Sequence, residues 1–334
     1  MMSRLGPSST GNPAMTLIAR RALLAASALP LAGPAFAQAY PTRPLRLIVG
    51  FGAGGISDLV ARLVAEAAGQ AIGQSIIVEN RTGAGGTIAA EAAARATPDG
   101  YTLLFGGPSL FAINAVMMGG SVADTAKELA PVLPLASTPH VLVVRPQLGV
   151  TDLAGFVARA RQRNGEMTWS TAGVGTSPHQ TMVLLQSLSG ARFTPVHYRS
   201  GAAGVQAVLS GEVDVTAEAT AVVVEHIRAG TLVGLVAAAP ERLDLLPNVP
   251  SSKEAGMAEL ENGSLSALLV PRATPQPVRD KLREAFGTAL ASATLRQRLA
   301  QQGTFALGGD AAALEGMIAT EVAKWRPLLA GLAG

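Results

Sequence analysis

The order of apolar and polar positions along the chain predicts short strands that alternate with helices. Residues 45–49 form an apolar run typical of a buried strand, and a small-residue loop follows them. Residues 57–70 then place apolar side chains four positions apart, as on one face of a helix, with Ser57 as the candidate N-cap. Further strands are predicted at 75–79, 101–105, 132–135, 141–145, 168–170, 195–198, 213–217, 232–237 and 267–270. Further helices are predicted at 87–96, 152–163, 180–188, 202–210, 277–292 and 311–329.

Strands that alternate with helices predict an α/β fold with mostly parallel sheets. In such folds the ligand binds beyond the carboxyl ends of the strands, so the loops after the strands are the candidate binding elements. The 334-residue chain is long enough for two domains of roughly 150 residues each.

The N-terminus has the features of an export signal. Arg20 and Arg21 precede an apolar stretch, residues 22–37, that ends in Ala35-Phe36-Ala37, a small-residue cleavage pattern. A transmembrane helix is the alternative, but it needs roughly 20 apolar residues and this stretch is shorter and interrupted by prolines. We therefore expect residues 1–37 to be a signal peptide and the mature protein to be periplasmic. Met15 is a possible true start, and the arginine pair leaves open Sec or twin-arginine export.

Composition and charge exclude several classes of protein. Apolar residues make up 49% of the chain, so a sizeable core is expected, and the absence of cysteine excludes disulfides and thiolate chemistry. The formal net charge of +3 equals the three arginines of residues 1–37, which contain no acidic residue. The remainder is formally neutral and has no basic run, so no nucleic-acid partner is expected.

The loops after the predicted strands are rich in Gly, Ser and Thr. Helix N-termini leave unpaired N–H groups with partial positive charge, and glycine lets a ligand approach them. Several helix N-termini that converge on one site would bind a small carboxylate without any Lys or Arg side chain. Alternatively, Gly50-x-Gly52-x-x-Gly55 matches a dinucleotide-binding fingerprint and would serve a nucleotide-dependent enzyme. The loops in question are 52–57, 83–87, 107–109, 173–177 and 200–201.

Catalytic patterns are weak in this chain. Its four histidines, at positions 140, 179, 197 and 226, show no metal-binding spacing, and no Gly-x-Ser-x-Gly elbow occurs. Ser177 and His179 are near neighbours, but no acid is placed to complete a triad. We expect a protein that is not an enzyme and that has no metal or cofactor.

Three further residues are candidates for contact with a ligand. Tyr198 and Arg199 end a predicted strand and could offer a hydroxyl and a cation, or could be an interfacial tyrosine and a solvated arginine. Glu218 follows the predicted strand 213–217 and could meet an amino or hydroxyl group of a ligand. It could equally be an exposed loop carboxylate.

Several ordered motifs resemble the tripartite tricarboxylate transporter receptor family, whose members are also called Bug proteins, over residues 40–334. Tyr40-Pro41-x-Arg43-Pro44 leads into the first strand, and Val78-Glu79-Asn80-Arg81-x-Gly83-Ala84-Gly85-Gly86 follows the first helix. Later motifs are Pro98-Asp99-Gly100-Tyr101-Thr102, Ala172-Gly173-x-Gly175-Thr176-Ser177-x-His179 and Leu246-Pro247-x-Val249-Pro250.

The resemblance implies a periplasmic-binding-protein-like α/β fold of type II, in which two α/β lobes enclose a ligand cleft. Residues 38–138 and 262–334 would form a discontinuous lobe 1 and residues 139–261 lobe 2, with crossings near 137–140 and 259–264. It also implies a carboxylate held by main-chain amides, hydroxyls and water. The residues carried over are Gly54, Ile56, Ser57, Gly83, Ala84, Ser109, Thr138, Thr171, Gly175, Thr176 and Tyr198.

This sequence departs from the usual family pattern at three places. Phe51-Gly52-Ala53-Gly54-Gly55 replaces Phe-Pro-Pro-Gly-Gly, which predicts a more flexible first loop. Ala217-Glu218-Ala219 stands where Phe-Asp-Asn is frequent, and Leu265-Ser266-Ala267 where Trp-Phe-Gly is frequent. The cleft is therefore expected to lose aromatic walls and to gain a longer carboxylate.

The expected function is that of a monomeric extracytoplasmic receptor. It would capture a small organic carboxylate, such as a di- or tricarboxylate, an aromatic acid or an amino acid, and deliver it to membrane transporter subunits. Sensing for a membrane kinase is an alternative that the sequence does not distinguish from transport.

Overall fold

The computed structural model describes Gly6, residues 40–114 and residues 120–330. The predicted signal peptide, apart from Gly6, lies outside the described residues. Within the described ranges, no helix combines the length and the apolar character needed to cross a membrane.

The described chain alternates strands and helices as the apolar pattern predicts. The strands are β1 Leu45–Val49, β2 Ile76–Asn80, β3 Thr102–Gly106, β4 Leu129–Val144, β5 Thr168–Thr171, β6 Thr194–His197, β7 Val215–Ala219, β8 Val233–Ala237, β9 Gly263–Pro271 and β10 Phe305–Ala306. The α-helices are α1 Ile56–Ile72, α2 Thr87–Ala94, α3 Gly120–Lys127, α4 Leu153–Arg163, α5 Ser177–Ser189, α6 Gly201–Ser210, α7 Thr220–Arg228, α8 Gln276–Ala291, α9 Ala293–Ala300 and α10 Ala311–Ala330.

The strands form one mixed sheet in the order β2-β1-β3-β9-β4-β7-β5-β6, with β8 and β10 also paired to β4. The pairs β1–β2, β1–β3, β5–β6 and β5–β7 are parallel. Every pairing made by β4 or β9 is antiparallel. The prediction of mostly parallel sheets is therefore wrong, because β4 and β9 run against their neighbours at the centre of the sheet.

The longest strand, β4, belongs to both halves of the sheet. Residues 129–139 pair with β9, and residues 140–144 pair with β7. The sequence predicts two strands here, 132–135 and 141–145. The structure has a single strand instead, and its pairing with β9 shifts register next to Pro131 and Pro134, which have no N–H to donate to the ladder.

Helix starts are less well predicted than helix positions. Asp152 caps α4 by accepting a hydrogen bond from the Gly155 amide at 2.7 Å, as its position before the helix suggests. The predicted N-cap Ser57 is wrong, since Gly55 holds that position and α1 starts at Ile56. Helices α3, α7 and α9 and strand β10 were not predicted.

Aromatic packing anchors the core under the β4–β7–β5 half of the sheet. The Trp169 and Phe156 side chains are fully buried, and Phe193 stacks on Phe156 with a centroid separation of 5.7 Å. Trp325, on α10, belongs to the same cluster, so the end of the described chain packs on this half. The strands are thereby held rigid beneath the loops that follow them.

Candidate functional site

A cavity of about 360 Å³ lies beyond the carboxyl ends of β1, β3, β5 and β6. Its position is the one expected for ligands of α/β folds. All five small-residue loops contribute to its lining, through residues 52–57, Gly85 and Gly86, residues 107–109, Thr176 and Ser177, and Ser200 and Gly201. Its walls thus come from both halves of the sheet.

Three helices begin in this lining. Helix α1 starts at Ile56 and α5 at Ser177, and in neither does a side chain cap the first turn. Helix α6 starts at Gly201, and the Ser200 hydroxyl accepts from the Ala203 amide at 3.2 Å. First-turn amides and helix dipoles therefore give the cavity a local positive potential.

A polar network holds the first loop in place. Asp58, buried in the first turn of α1, accepts hydrogen bonds from the Gly54 amide at 3.0 Å, from Asn80 Nδ2 at 2.9 Å and from Arg62 Nε at 3.0 Å. Asn80 Nδ2 also donates to the Phe51 carbonyl oxygen at 2.9 Å. Burial raises the pKa of the Asp58 carboxyl, but the bonds from Arg62, Gly54 and Asn80 outweigh it and leave the pKa below its ordinary value.

This network changes the role expected for Gly54. Its amide already donates to Asp58, so Gly54 lines the cavity without a free N–H for a ligand. The uncapped amides of Ile56 and Ser57, two and three residues further on, are the donors that the first loop offers.

A chain of hydroxyl and imidazole groups joins three elements across the cavity wall. His140 Nε2 lies 3.1 Å from Ser264 Oγ, and Ser264 Oγ lies 3.1 Å from Ser177 Oγ. These residues belong to β4, β9 and α5, and all three line the cavity. Burial lowers the pKa of His140 to about 4, so its imidazole is neutral at neutral pH.

Glu218 is the buried carboxyl group of the cavity. It lies inside β7, opposite Val141 of β4, and is 6% exposed, so the alternative of an exposed loop carboxylate is wrong. The Ala219 amide donates to Oε2 at 3.4 Å, and no ion pair reaches the carboxylate among the described residues. Burial raises the pKa of Glu218 to about 7.

The side chain of Glu218 packs against the start of α6. A Cβ atom at position 201 would lie 2.4 Å from Glu218 Oε2, which no side chain could tolerate without a shift. Gly201 is therefore the residue that lets the carboxyl group and the N-terminus of α6 approach each other.

Six of the twelve predicted site residues line the cavity and six do not. The lining residues are Gly54, Ile56, Ser57, Ser109, Thr176 and Glu218. The residues outside the lining are Gly83, Ala84, Thr138, Thr171, Gly175 and Tyr198. For both groups a contact with ligand stays a prediction.

The residues outside the lining have partners within the protein. Thr138 Oγ1 lies 2.9 Å from Thr304 Oγ1, and Thr171 Oγ1 lies 2.6 Å from His197 Nδ1. Tyr198 donates its hydroxyl to Glu212 Oε1 at 2.8 Å. The Gly175 amide donates to His179 Nδ1 at 3.2 Å.

Several polar residues of the lining were not predicted. Ser264 and Ser266 alternate with apolar residues along β9, a pattern that could have identified one face of a strand. Glu321 comes from α10, far along the chain, and carries no local signal. Asn114, His140 and Gln180 are further polar members of the lining that were not predicted. Arg199, named above as a candidate cation, also lines the cavity, as do Ser177 and Ser200 of the candidate loops.

The mixed sheet, its two halves and the cavity beyond the strand ends define a two-lobed α/β binding protein of the periplasmic type. The chain belongs to the family described as tripartite tricarboxylate transporter family receptor, which it matches over residues 60–333. Both the predicted family and the predicted fold class are thereby confirmed. This family consists of periplasmic solute-binding receptors.

Named relatives cover nearly the whole chain. Protein BugT of Bordetella pertussis is 31% identical over 296 residues, which cover 88% of this chain and 91% of BugT. The structure of MatC from Rhodopseudomonas palustris with bound malate has a TM-score of 0.78 and 31% identity, covering 86% of this chain and 99% of MatC. The structure of R. palustris Rpa4515 with adipate has a TM-score of 0.80 and 29% identity, covering 86% of this chain and 97% of Rpa4515.

Proposed function

We propose that this protein is an extracytoplasmic receptor that captures a small organic carboxylate in the cavity. It then delivers the carboxylate to a tripartite tricarboxylate-type membrane transporter and performs no catalysis. One observation carries the proposal: three helix N-termini, from α1, α5 and α6, open into one cavity at the strand ends. Unpaired first-turn amides stabilise a carboxylate there without a cluster of cations.

The size and charge of the cavity suit this role. A volume of about 360 Å³ lies within the range of small-molecule pockets. Among the residues described in the lining, Arg199 is the one permanent cation, so amides and hydroxyls would supply most of the contacts to the carboxylate. MatC and Rpa4515, solved with malate and adipate, support a carboxylate ligand by similarity.

Binding would be coupled to closure of the two lobes. We assign residues 38–138 and 262–334 to lobe 1 and residues 139–261 to lobe 2. In support, β4 exchanges its partner β9 for β7 between Pro139 and His140, and β9 begins at Gly263. A carboxylate that contacts both lobes would shift the equilibrium towards the closed form. The closed form, as a monomer in the periplasm, would then be recognised by the transporter.

Native mass spectrometry of the freshly purified protein tests the proposal. A co-purified organic acid is expected, and its removal should lower the unfolding temperature by mass action. A panel of di- and tricarboxylates, aromatic acids and amino acids should restore that temperature for at least one compound. The proposal fails if no acid co-purifies and no compound changes the unfolding temperature.

A matched pair of variants ties binding to the cavity. Ser109 is a half-buried residue of the lining, and Ser109→Trp should fill the space and abolish the thermal shift. Ala154 is exposed on α4 outside the lining, and Ala154→Trp should bind as the unaltered protein does. Retention of binding by Ser109→Trp would place the ligand elsewhere.

A further inference from the structure

The cavity wall contains a carboxyl group that has no cationic partner in the part of the chain that the structure describes. Glu218 is 6% exposed, and its one hydrogen bond within the described residues comes from the Ala219 amide at 3.4 Å. A buried carboxylate that lacks a cation or strong hydrogen-bond donors destabilises the native state. Proteins tolerate such a group where a ligand supplies the missing partner.

Strand pairing and close packing place the Glu218 side chain. Strand β7 holds its main chain against Val141 of β4, and its carboxyl group packs against Gly201 at the start of α6. The group therefore lies in the lining of the cavity.

The other charges of the lining do not neutralise Glu218. Arg199 is exposed and contributes one positive charge, while Glu321 contributes a second carboxylate that accepts a bond from Trp325 Nε1 at 2.8 Å. His140 is buried and neutral at neutral pH. With both glutamates ionised, the lining has one cation and two carboxylates, an arrangement that disfavours a ligand with two negative ends.

We propose that the cognate ligand carries a protonated nitrogen as well as a carboxylate, and that Glu218 receives the nitrogen. This proposal rests on the proposed function. The carboxylate end binds at the N-termini of α1 and α5, and the ammonium end supplies the counter-charge and the hydrogen-bond donors that Glu218 lacks. A plain dicarboxylate of the same length would place a second negative charge beside Glu218 and bind more weakly.

Calorimetric titration with matched compounds tests this assignment at pH 8. The pairs are β-alanine with succinate and 4-aminobutyrate with glutarate, in which a terminal ammonium replaces a terminal carboxylate, and aspartate with succinate, in which an ammonium is added. Within at least one pair, the nitrogen-bearing compound is expected to bind about tenfold or more tightly than its partner.

Variants of Glu218 test whether its carboxylate causes the preference for the nitrogen-bearing compound. Glu218→Gln keeps the shape without the charge and should lose about tenfold or more in affinity for the nitrogen-bearing compound. Glu218→Asp keeps the charge and should retain the preference at reduced affinity. The control Glu225→Gln, on an exposed face of α7 outside the lining, should bind as the unaltered protein does. Circular dichroism confirms that each variant is folded.

Two outcomes overturn the proposal, and they are distinguishable. In the first, dicarboxylates bind best and Glu218→Gln binds them equally or more tightly, so Glu218 acts as a neutral group. The assignment of the ligand's nitrogen to Glu218 is then wrong, while the receptor function stands. If none of these compounds binds and no carboxylate of the wider panel does, the proposed function itself fails, and this inference fails with it.

Discussion

Replacing Glu218 by glutamine should stabilise the ligand-free protein, and the gain should grow with pH. Burial raises the pKa of Glu218 to about 7 from an ordinary value of 4.5. The native state therefore holds this proton more tightly than the unfolded chain does, and ionisation opposes folding. Glutamine has nearly the same shape and never ionises, so the variant avoids this cost.

The magnitude follows from the two pKa values. Stability from a carboxyl group with a raised native pKa is complete below pH 4.5 and is lost as the pH rises through about 7. The separation of the two values corresponds to about 3 kcal/mol at high pH. The variant should therefore exceed the unaltered protein by less than about 1 kcal/mol at pH 5 and by about 3 kcal/mol at pH 8.

Urea unfolding followed by tryptophan fluorescence measures this difference, because Trp169 and Trp325 are both buried. The experiment is run from pH 5 to pH 8 on ligand-free protein, and the slopes with urea should match between the two proteins. His140 and His179 also titrate differently on folding, but both proteins contain them, so their effects cancel in the difference. A difference that is independent of pH, or a less stable variant at pH 8, would refute the argument that Glu218 is buried without compensation.

Three other changes have defined outcomes. Gly201→Ala places a Cβ 2.4 Å from Glu218 Oε2 and should lower the free energy of unfolding in urea by about 1–3 kcal/mol. The control Gly287→Ala, in α8, meets nothing within 4 Å and should leave that free energy unchanged or raise it. Equal effects of the two variants would contradict the close packing at Gly201. Asp152→Ala removes the N-cap of α4 and should lower the free energy of unfolding by about 1 kcal/mol. Asp152→Asn keeps a capping oxygen and should retain most of that stability. An unchanged stability of Asp152→Ala would show that the cap does not stabilise α4. Burial, with a smaller effect of His197, lowers the pKa of His179 to about 4, so stability is lost as the pH falls from 6.5 towards 4. His179→Gln should make that acid loss shallower, and an unchanged pH profile would contradict it.

Most helices and strands were predictable because their signals are local. The apolar spacing after residue 57 acts within one or two turns of the chain, and it correctly located α1. The failures involve distant partners. The prediction left residues 136–140 between two strands, but pairing with β9 and β7, over a hundred and more than seventy residues away, makes β4 one continuous strand.

In the candidate site, too, the features with local signals were predictable and those that depend on distant residues were not. The five small-residue loops were identified from sequence, since glycine, serine and a following helix are neighbours in the chain, and all five contribute to the cavity. Six of the eleven residues carried over from the family lie outside the lining, and side chains such as those of Thr171 and Tyr198 have partners within the protein instead. Local sequence does not show which way such side chains face.

The sequence by itself determined the alternation of strands and helices, the family and a carboxylate-compatible set of loops. Each depends on residue order over short distances, where hydrogen-bonding geometry and apolar periodicity act. Only the tertiary structure decided that Ser264 links His140 to Ser177, residues 124 and 87 positions away from it. It also decided that Glu218 is buried beside Gly201, with no cationic partner among residues 40–114 and 120–330. The burial of a charge depends on every element packed around it, and here those elements come from widely separated parts of the chain.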